Sequence, residues 1–405
     1  MTQPLHLLLV EPDPSGHRMV LHVRLIAQEA VARGWRVDVL TSRAAAKHSA
    51  LHAVRAVLPA NSGVHFLADY SKGTGSGRIA MLRQQWNAYR SLSHSITHLA
   101  QQINPTVTYL VNLDNIYKVL AITRKPFGGT PFAGMMMGLG YHRRATGLGQ
   151  GRWHDRIAEG LFRRVLRLPS LRAVTVIDAA LHAHTSRAGV PEYSKLSYVP
   201  DVGSRECIGS RSEARSAMNI PDDRFVILVY GSLSRRKGLA ELIEAVAWSP
   251  DRRVLLLIAG QADAGATEIL EGNVARLLTE RGQIIRSEGF HDADREGLMF
   301  AAADAVWIGY VGFYGSSGVL YQAGAASLPV IAAQEGLIGW LTTRHGLGAC
   351  CVPAERDTVI AAIASIANDP ELARESGRRG RKLSESHTPE QFAAAICDAI
   401  ERSRP

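Results

Sequence analysis

A chain of 405 residues, 46% hydrophobic and 20% charged, has the composition of an ordinary soluble globular protein. It is too long for one typical core and fits two domains; disorder and collagen-like repeats are excluded. The net charge of +9 is unevenly divided, with 24 Lys+Arg against 10 Asp+Glu in residues 1–200 and 22 against 27 in residues 201–405. The basic first half points to an anionic partner: a membrane surface, lipid phosphate, acidic glycan or nucleic acid.

The longest apolar runs, such as "LHLLLVE" and "RVLLLIAG", are strand-sized and fall short of the roughly 18 to 20 residues that span a bilayer. The N-terminus has no charged region followed by a small-residue cleavage site, so neither secretion nor a spanning helix is expected. Cys207, Cys350, Cys351 and Cys397 show no metal-ligand spacing, and the pair in "ACCV" reads as free thiols packed as small hydrophobes, which suits a reducing cytosol.

In chain order, strands are predicted at 6–11, 36–42 and 63–68, with a helix from about 17 to 33 and a long one from about 78 to 103. Strands at 106–112, 130–137 and 171–178 follow, separated by helices near 115–124 and 152–167. In the second of these helices Trp153, Ile157, Leu161 and Val165, with Leu168 beyond, recur at three- and four-residue spacing and form an apolar stripe flanked by arginines. A linker is expected at 197–214, rich in Gly and Ser. The plan then repeats, with strands at 224–232, 252–260, 282–290, 304–310, 328–333 and 348–353. Thr388-Pro389 is a good N-cap and first-turn pair for a final amphipathic helix. Apolar strands alternating with amphipathic helices imply parallel sheets covered on both faces. The expected class is α/β, with two Rossmann-like doubly wound domains over 1–200 and 201–387 facing a central cleft. Ligands bind beyond the carboxyl ends of such strands.

Three loops at those ends carry candidate chemistry. "EPDPSGHRM" turns through Gly16 and places His17 and Arg18 at a helix start, without a G-x-G-x-x-G fingerprint. "YGSLSRRKG" sets Arg235, Arg236 and Lys237 beside helix N–H groups, where charge-assisted hydrogen bonds and the helix dipole together favour an anion. "FYGSSGVLYQAG" presents Gly315, Ser316, Ser317 and Gly318 at another helix N-terminus suited to phosphate. Asp292 and Asp294 in "HDADRE" read as an N-cap and a first-turn acid rather than metal ligands. No His-Glu-x-x-His cluster or Gly-x-Ser-x-Gly elbow is present, and no metal is expected.

"GSLSRRKG", "LLLIAG", "GFHDADREGLMFAAADAVWIG" and "GSSGVLYQAGAASLPVIA" resemble, in order and spacing over about 230–352, the donor domain of retaining GT-B glycosyltransferases. The resemblance implies transfer of a hexose-like sugar from a nucleotide-diphosphate sugar with retention of configuration, without cofactor or metal. It implies that Lys237, Arg236 and His142 are the catalytic residues, with Lys237 and Arg236 acting on the donor diphosphate and His142 as a cleft histidine contacting donor or acceptor. Gly16, Gly231, Ser232, Arg235, Phe290, Tyr314, Gly315, Ser316, Ser317, Gly318, Val319 and Gln322 would bind the donor. His17, Arg18, Arg143 and Arg144 would bind the acceptor. The family's two glutamates, separated by seven intervening residues, align with Tyr314 and Gln322, and its arginine after the first glycine aligns with Ser232. The helix at 388–405 would return to the first domain. The basic first half suits a lipid-linked or cell-envelope acceptor and a cytoplasmic protein peripheral to the inner membrane face, and no nucleic acid is expected. The alternative is a non-catalytic scaffold of the same fold that binds a nucleotide sugar or a protein partner.

Overall fold

The computed structural model describes residues 4–14, 18–67, 78–203, 209–289 and 291–404. The chain divides into two compact units: Met1–His142 with Gly151–Pro200 and Pro389–Pro405, and Arg143–Gln150 with Asp201–Thr388.

The first unit is built on β1 (His6–Val10), β2 (Arg36–Thr41), β3 (Val64–Phe66), β4 (Val107–Leu110), β5 (Phe132–Met136), β6 (Leu171–Val176) and β7 (Leu196–Tyr198). They form one parallel sheet in the order β3-β2-β1-β4-β5-β6-β7. Leu7, Leu8 and Leu9 of β1 are all fully buried, as a strand covered on both faces requires. The linker expected at 197–214 begins too early. Leu196–Tyr198 is a short strand paired with β6, and its three residues are too few to carry a legible apolar pattern.

The arginine-rich helix is Asp155–Leu166, and its expected stripe divides. Val165 and Leu168 are buried, joined by Phe162 and Leu166, whereas Ile157 is 57% exposed and Trp153, before the helix, is 77% exposed. The final helix, Pro389–Arg402, lies in this first unit. It buries Phe392, Ile396, Cys397 and Ile400, sets the Phe392 ring 4.8 Å from His22, and offers Asp398 and Glu401 to the Arg33 guanidinium at 2.7 and 3.1 Å.

The second unit is a parallel sheet of β8 (Phe225–Tyr230), β9 (Val254–Gly260), β10 (Ile284–Glu288), β11 (Ala305–Ile308), β12 (Val330–Ala333) and β13 (Gly348–Cys351). Its order is β10-β9-β8-β11-β12-β13. Each sheet reverses direction beside its first strand, between β1 and β4 and between β8 and β11. Both units are therefore Rossmann-like and doubly wound, and each has a topological switch point where the loops at the carboxyl edge diverge.

Buried Arg215 ties the amino edge of the second sheet together. Its guanidinium donates to Ala302, Pro221, Asp222 and Arg224 carbonyls and to Asp304 Oδ2 at 2.6 Å, while Asp304 also accepts the Val226 N–H. The cysteines at 350, 351 and 397 are free, and burial pushes the Cys351 and Cys397 thiols up to about 12. Cys207 lies outside the described residues.

Candidate donor site in the second unit

The switch point of the second sheet gathers the loops after β8 and β11. After β8 the chain passes Gly231 and makes a tight turn at Arg235–Lys237. It enters the helix Leu239–Trp248 through Gly238, whose φ of +69° is left-handed. A side chain there would also meet the Gly309 carbonyl, so glycine is required twice over. The turn aims Lys237 inward, leaving it 6% exposed. Its Nζ donates to the Tyr230 carbonyl at 2.9 Å and to the Tyr310 hydroxyl at 2.6 Å. The Trp307 indole N–H fixes the Lys237 carbonyl at 2.8 Å.

The loop after β11 completes the arrangement. Tyr310 Oη lies 3.3 Å from Ser317 Oγ, and Ser317 is the N-cap of the helix Gly318–Ala325. Lysine, tyrosine and helix N-terminus thus form one connected group. The first N–H groups of such a helix lack intrahelical partners and carry its positive dipole end. Ser316 Oγ is buried there without a hydrogen-bond partner. Arg236 is exposed and stacks its guanidinium 4.5 Å from the Phe313 ring centre. The small side chains of the helix have a packing cause. Gly324 lies against Gly380 of the helix Pro370–Ser384, and a Cβ at 324 would strike the Gly380 carbonyl.

Around this centre the other expected donor residues have different partners. Arg235 pairs with exposed Glu268, and Ser232 is exposed while Val319 is buried. Tyr314 donates to Glu335 Oε2 at 2.9 Å, and Arg143 lies 4.0 Å over its ring. Arg143 and Arg144 belong to the segment Arg143–Gln150, which sits in this second unit although it falls between β5 and β6 in sequence. Within that segment the Leu148 carbonyl accepts the Gly336 N–H at 2.8 Å, and a Cβ on Gly149 would come within 3.0 Å of Tyr314. Nothing in the order of residues signals this placement.

Gln322 faces a carboxylate that sequence reasoning missed. Its Nε2 donates to Glu296 Oε1 at 2.7 Å, and the Tyr230 hydroxyl donates to Glu296 Oε2. Burial, and then the bond to Glu296, push the Tyr230 phenol above its ordinary value. Glu296 belongs to the helix Ala293–Ala302, capped by Asp292 Oδ1 accepting the Arg295 N–H at 2.9 Å. The signal was its spacing: four residues beyond the cap, Glu296 lies on the same helical face as Asp292.

In the first unit the corresponding switch point carries carboxylates. Arg18 donates to Glu11 Oε2 at 3.0 Å and to Asp13 Oδ2 at 3.1 Å. Asp114 accepts the Met137 and Gly138 N–H groups at 2.8 and 3.1 Å. Burial raises the Glu11 and Asp114 carboxyls above their ordinary range despite these donors. His142 is buried with Nε2 3.0 Å from Asp178 Oδ2, and Asp178 Oδ1 caps the helix Ala179–Arg187. Gly16, His17 and Phe290 lie outside the described residues. Among the described residues no group of three or more His, Cys, Asp or Glu side chains is placed to hold a metal.

Comparison with known proteins agrees with this architecture. Residues 210–383, within the second unit, match the family described as Glycosyl transferases group 1. No curated protein matches the chain. Among solved structures it is similar to sucrose-phosphate synthase from Thermosynechococcus elongatus, at 19% identity over 99% of each chain with a TM-score of 0.68. It is also similar to Anabaena HepE in complex with UDP and glucose, at 16% identity over 98% of this chain and 100% of that one, with a TM-score of 0.65. WaaG, a glycosyltransferase involved in lipopolysaccharide biosynthesis, aligns at 16% identity over 97% and 99% of the two chains, with a TM-score of 0.63. At such identities the likeness speaks for the fold, which is GT-B.

Proposed function

We propose that the protein is a retaining glycosyltransferase. It moves a hexose-like sugar from a nucleoside-diphosphate sugar to a lipid-linked or cell-envelope acceptor recognised by the first unit. One observation carries the reading. A buried lysine ammonium, held by Tyr230 and Tyr310, joins a helix N-terminus at the switch point of a doubly wound sheet. That combination suits a diphosphate. The Glycosyl transferases group 1 match over the same unit supports sugar transfer, and the UDP bound to HepE in its solved structure supports a nucleotide donor.

In such a transfer, negative charge grows on the departing diphosphate. Lys237, the Arg236 guanidinium and the N–H groups at Gly318 stabilise it where it develops, with no reorganisation at the moment of reaction. These cations supply countercharge, so we assign no metal. The departing phosphate takes the acceptor proton, and no enzyme base of raised pKa is needed. His142 and Arg18, in the first unit, are assigned to the acceptor side, whereas Arg143 and Arg144 sit in the second unit, Arg143 beside the donor residue Tyr314.

The acceptor reading draws on the arginine-rich helix. Trp153 and Ile157 are exposed beside Arg152 and Arg156, an apolar and cationic face suited to anionic lipid. No helix among the described residues is long and apolar enough to cross a membrane, so peripheral attachment to the cytoplasmic face is the form proposed.

A second reading, a non-catalytic scaffold, draws on Tyr314 and Gln322, which bring a phenol and an amide where the resembled family has carboxylates. Incubation with the nucleotide sugar that binds separates the two. A transferase releases free sugar and nucleotide slowly, and Lys237→Ala reduces that release; a scaffold binds the donor and releases nothing above background.

A further inference from the structure

Glu296 is held from two sides. Two side chains from separate elements donate to it, Tyr230 at the end of β8 to Oε2 and Gln322 to Oε1. The carboxylate is therefore fixed in plane and direction while remaining partly exposed.

Its place relative to the diphosphate site follows from the helices. Gln322 lies four residues beyond Gly318, about 6 Å along a helix that rises 1.5 Å per residue. The backbone carbonyl of Tyr230, whose side chain holds Glu296, accepts the Lys237 ammonium. A nucleotide with its diphosphate on Lys237 and the helix start has its ribose within a few ångströms of those phosphates. In dinucleotide-binding doubly wound domains an acidic side chain receives a ribose hydroxyl, an example of the chemistry a carboxylate at the carboxyl edge can offer. Gln322 is an amide, so the helix Gly318–Ala325 supplies no such acid.

We propose that Glu296 is the carboxylate that receives the ribose hydroxyl pair of the donor nucleotide, with Gln322 and Tyr230 orienting it. This rests on the donor-site reading above and adds the residue that selects a ribonucleotide. The acid comes from the neighbouring helix Ala293–Ala302, and Gln322 turns from ligand holder to carboxylate holder.

The test is calorimetric titration of the full-length protein with the nucleoside diphosphate that it binds, the 2′,3′-dideoxy analogue and inorganic pyrophosphate. The wild type is expected to bind the dideoxy analogue at least tenfold more weakly than the parent. Glu296→Gln is expected to lose tenfold or more for the parent while leaving the dideoxy analogue and pyrophosphate unchanged. Glu296→Gln with Gln322→Glu is expected to recover much of that loss. Equal binding of parent and dideoxy analogue by the wild type overturns the inference without any variant. A Glu296→Gln loss shared equally by all three ligands overturns it too, because that is a structural effect. If Glu296→Gln does not fold, Tyr230→Phe keeps the test: narrowing of the parent-to-dideoxy ratio supports the inference, and an unchanged ratio contradicts it. Failure of every nucleotide and pyrophosphate to bind the wild type marks instead the failure of the donor site itself.

Discussion

Two buried cations in the second unit have opposite duties. Lys237 holds its charge at the carboxyl edge, against one carbonyl and one hydroxyl, with no carboxylate among its hydrogen-bond partners. Among the described residues no carboxylate cancels its charge, which suits the anion proposed for this site. Arg215, 1% exposed at the opposite edge, is cancelled by Asp304 and four carbonyls. Arg215→Met removes one partner of a buried pair and leaves several acceptors unmet, so unfolding free energy should fall by about 3 to 5 kcal/mol. Denaturant titration reads this loss, and a change below about 1 kcal/mol contradicts the structural role assigned to Arg215.

Two elements invite measurement in the first unit. Asp38 of β2 stands between His6 of β1 and His65 of β3, with its oxygens 2.6 and 3.0 Å from their Nε2 atoms. Burial works against its charge, but the bonds from His65, His6 and the Gly63 N–H outweigh it and hold the carboxyl below its ordinary value. A folded value below the unfolded one means that Asp38 stabilises the fold above about pH 4, the ordinary Asp range, and that this contribution is lost as pH falls through the depressed value. Melting temperature followed from pH 7 downward should therefore fall more steeply below about pH 4 in the wild type than in Asp38→Asn. Parallel curves contradict the assignment. The second element is the helix Asp155–Leu166. Vesicles containing anionic lipid should carry the protein on flotation, and Trp153→Ser with Ile157→Ser should reduce the bound fraction several-fold. Flotation indifferent to lipid charge removes the membrane from the proposed function.

At the scale of the molecule, the double parallel-sheet plan was legible because fully buried strands such as β1 and β9 are continuous apolar runs of the right length. What was not legible depended on chain crossings or on side chains far apart in sequence. β7 is three residues long and was absorbed into the linker, and Arg143–Gln150 leaves the first unit for the second without any change in composition. Lys237 was legible as a cation in the loop after a strand; its partner Tyr310, 73 residues on, was not. Gln322 was identified as a departure, but the carboxylate that answers it lies 26 residues away on another helix. Spacing along one element can be read from a sequence, whereas the meeting of two elements needs the fold.

The central claim is that Lys237 and the start of the helix Gly318–Ala325 bind the diphosphate of a sugar nucleotide. Calorimetric titration of UDP, GDP and ADP into the wild type and Lys237→Ala tests it most directly. The account expects one saturable site for at least one of the three, weakened about tenfold to a hundredfold by Lys237→Ala, as loss of about 1.5 to 3 kcal/mol in charge-assisted hydrogen bonding implies. Absence of binding by all three to the folded wild type, or binding that Lys237→Ala leaves unchanged, would contradict it.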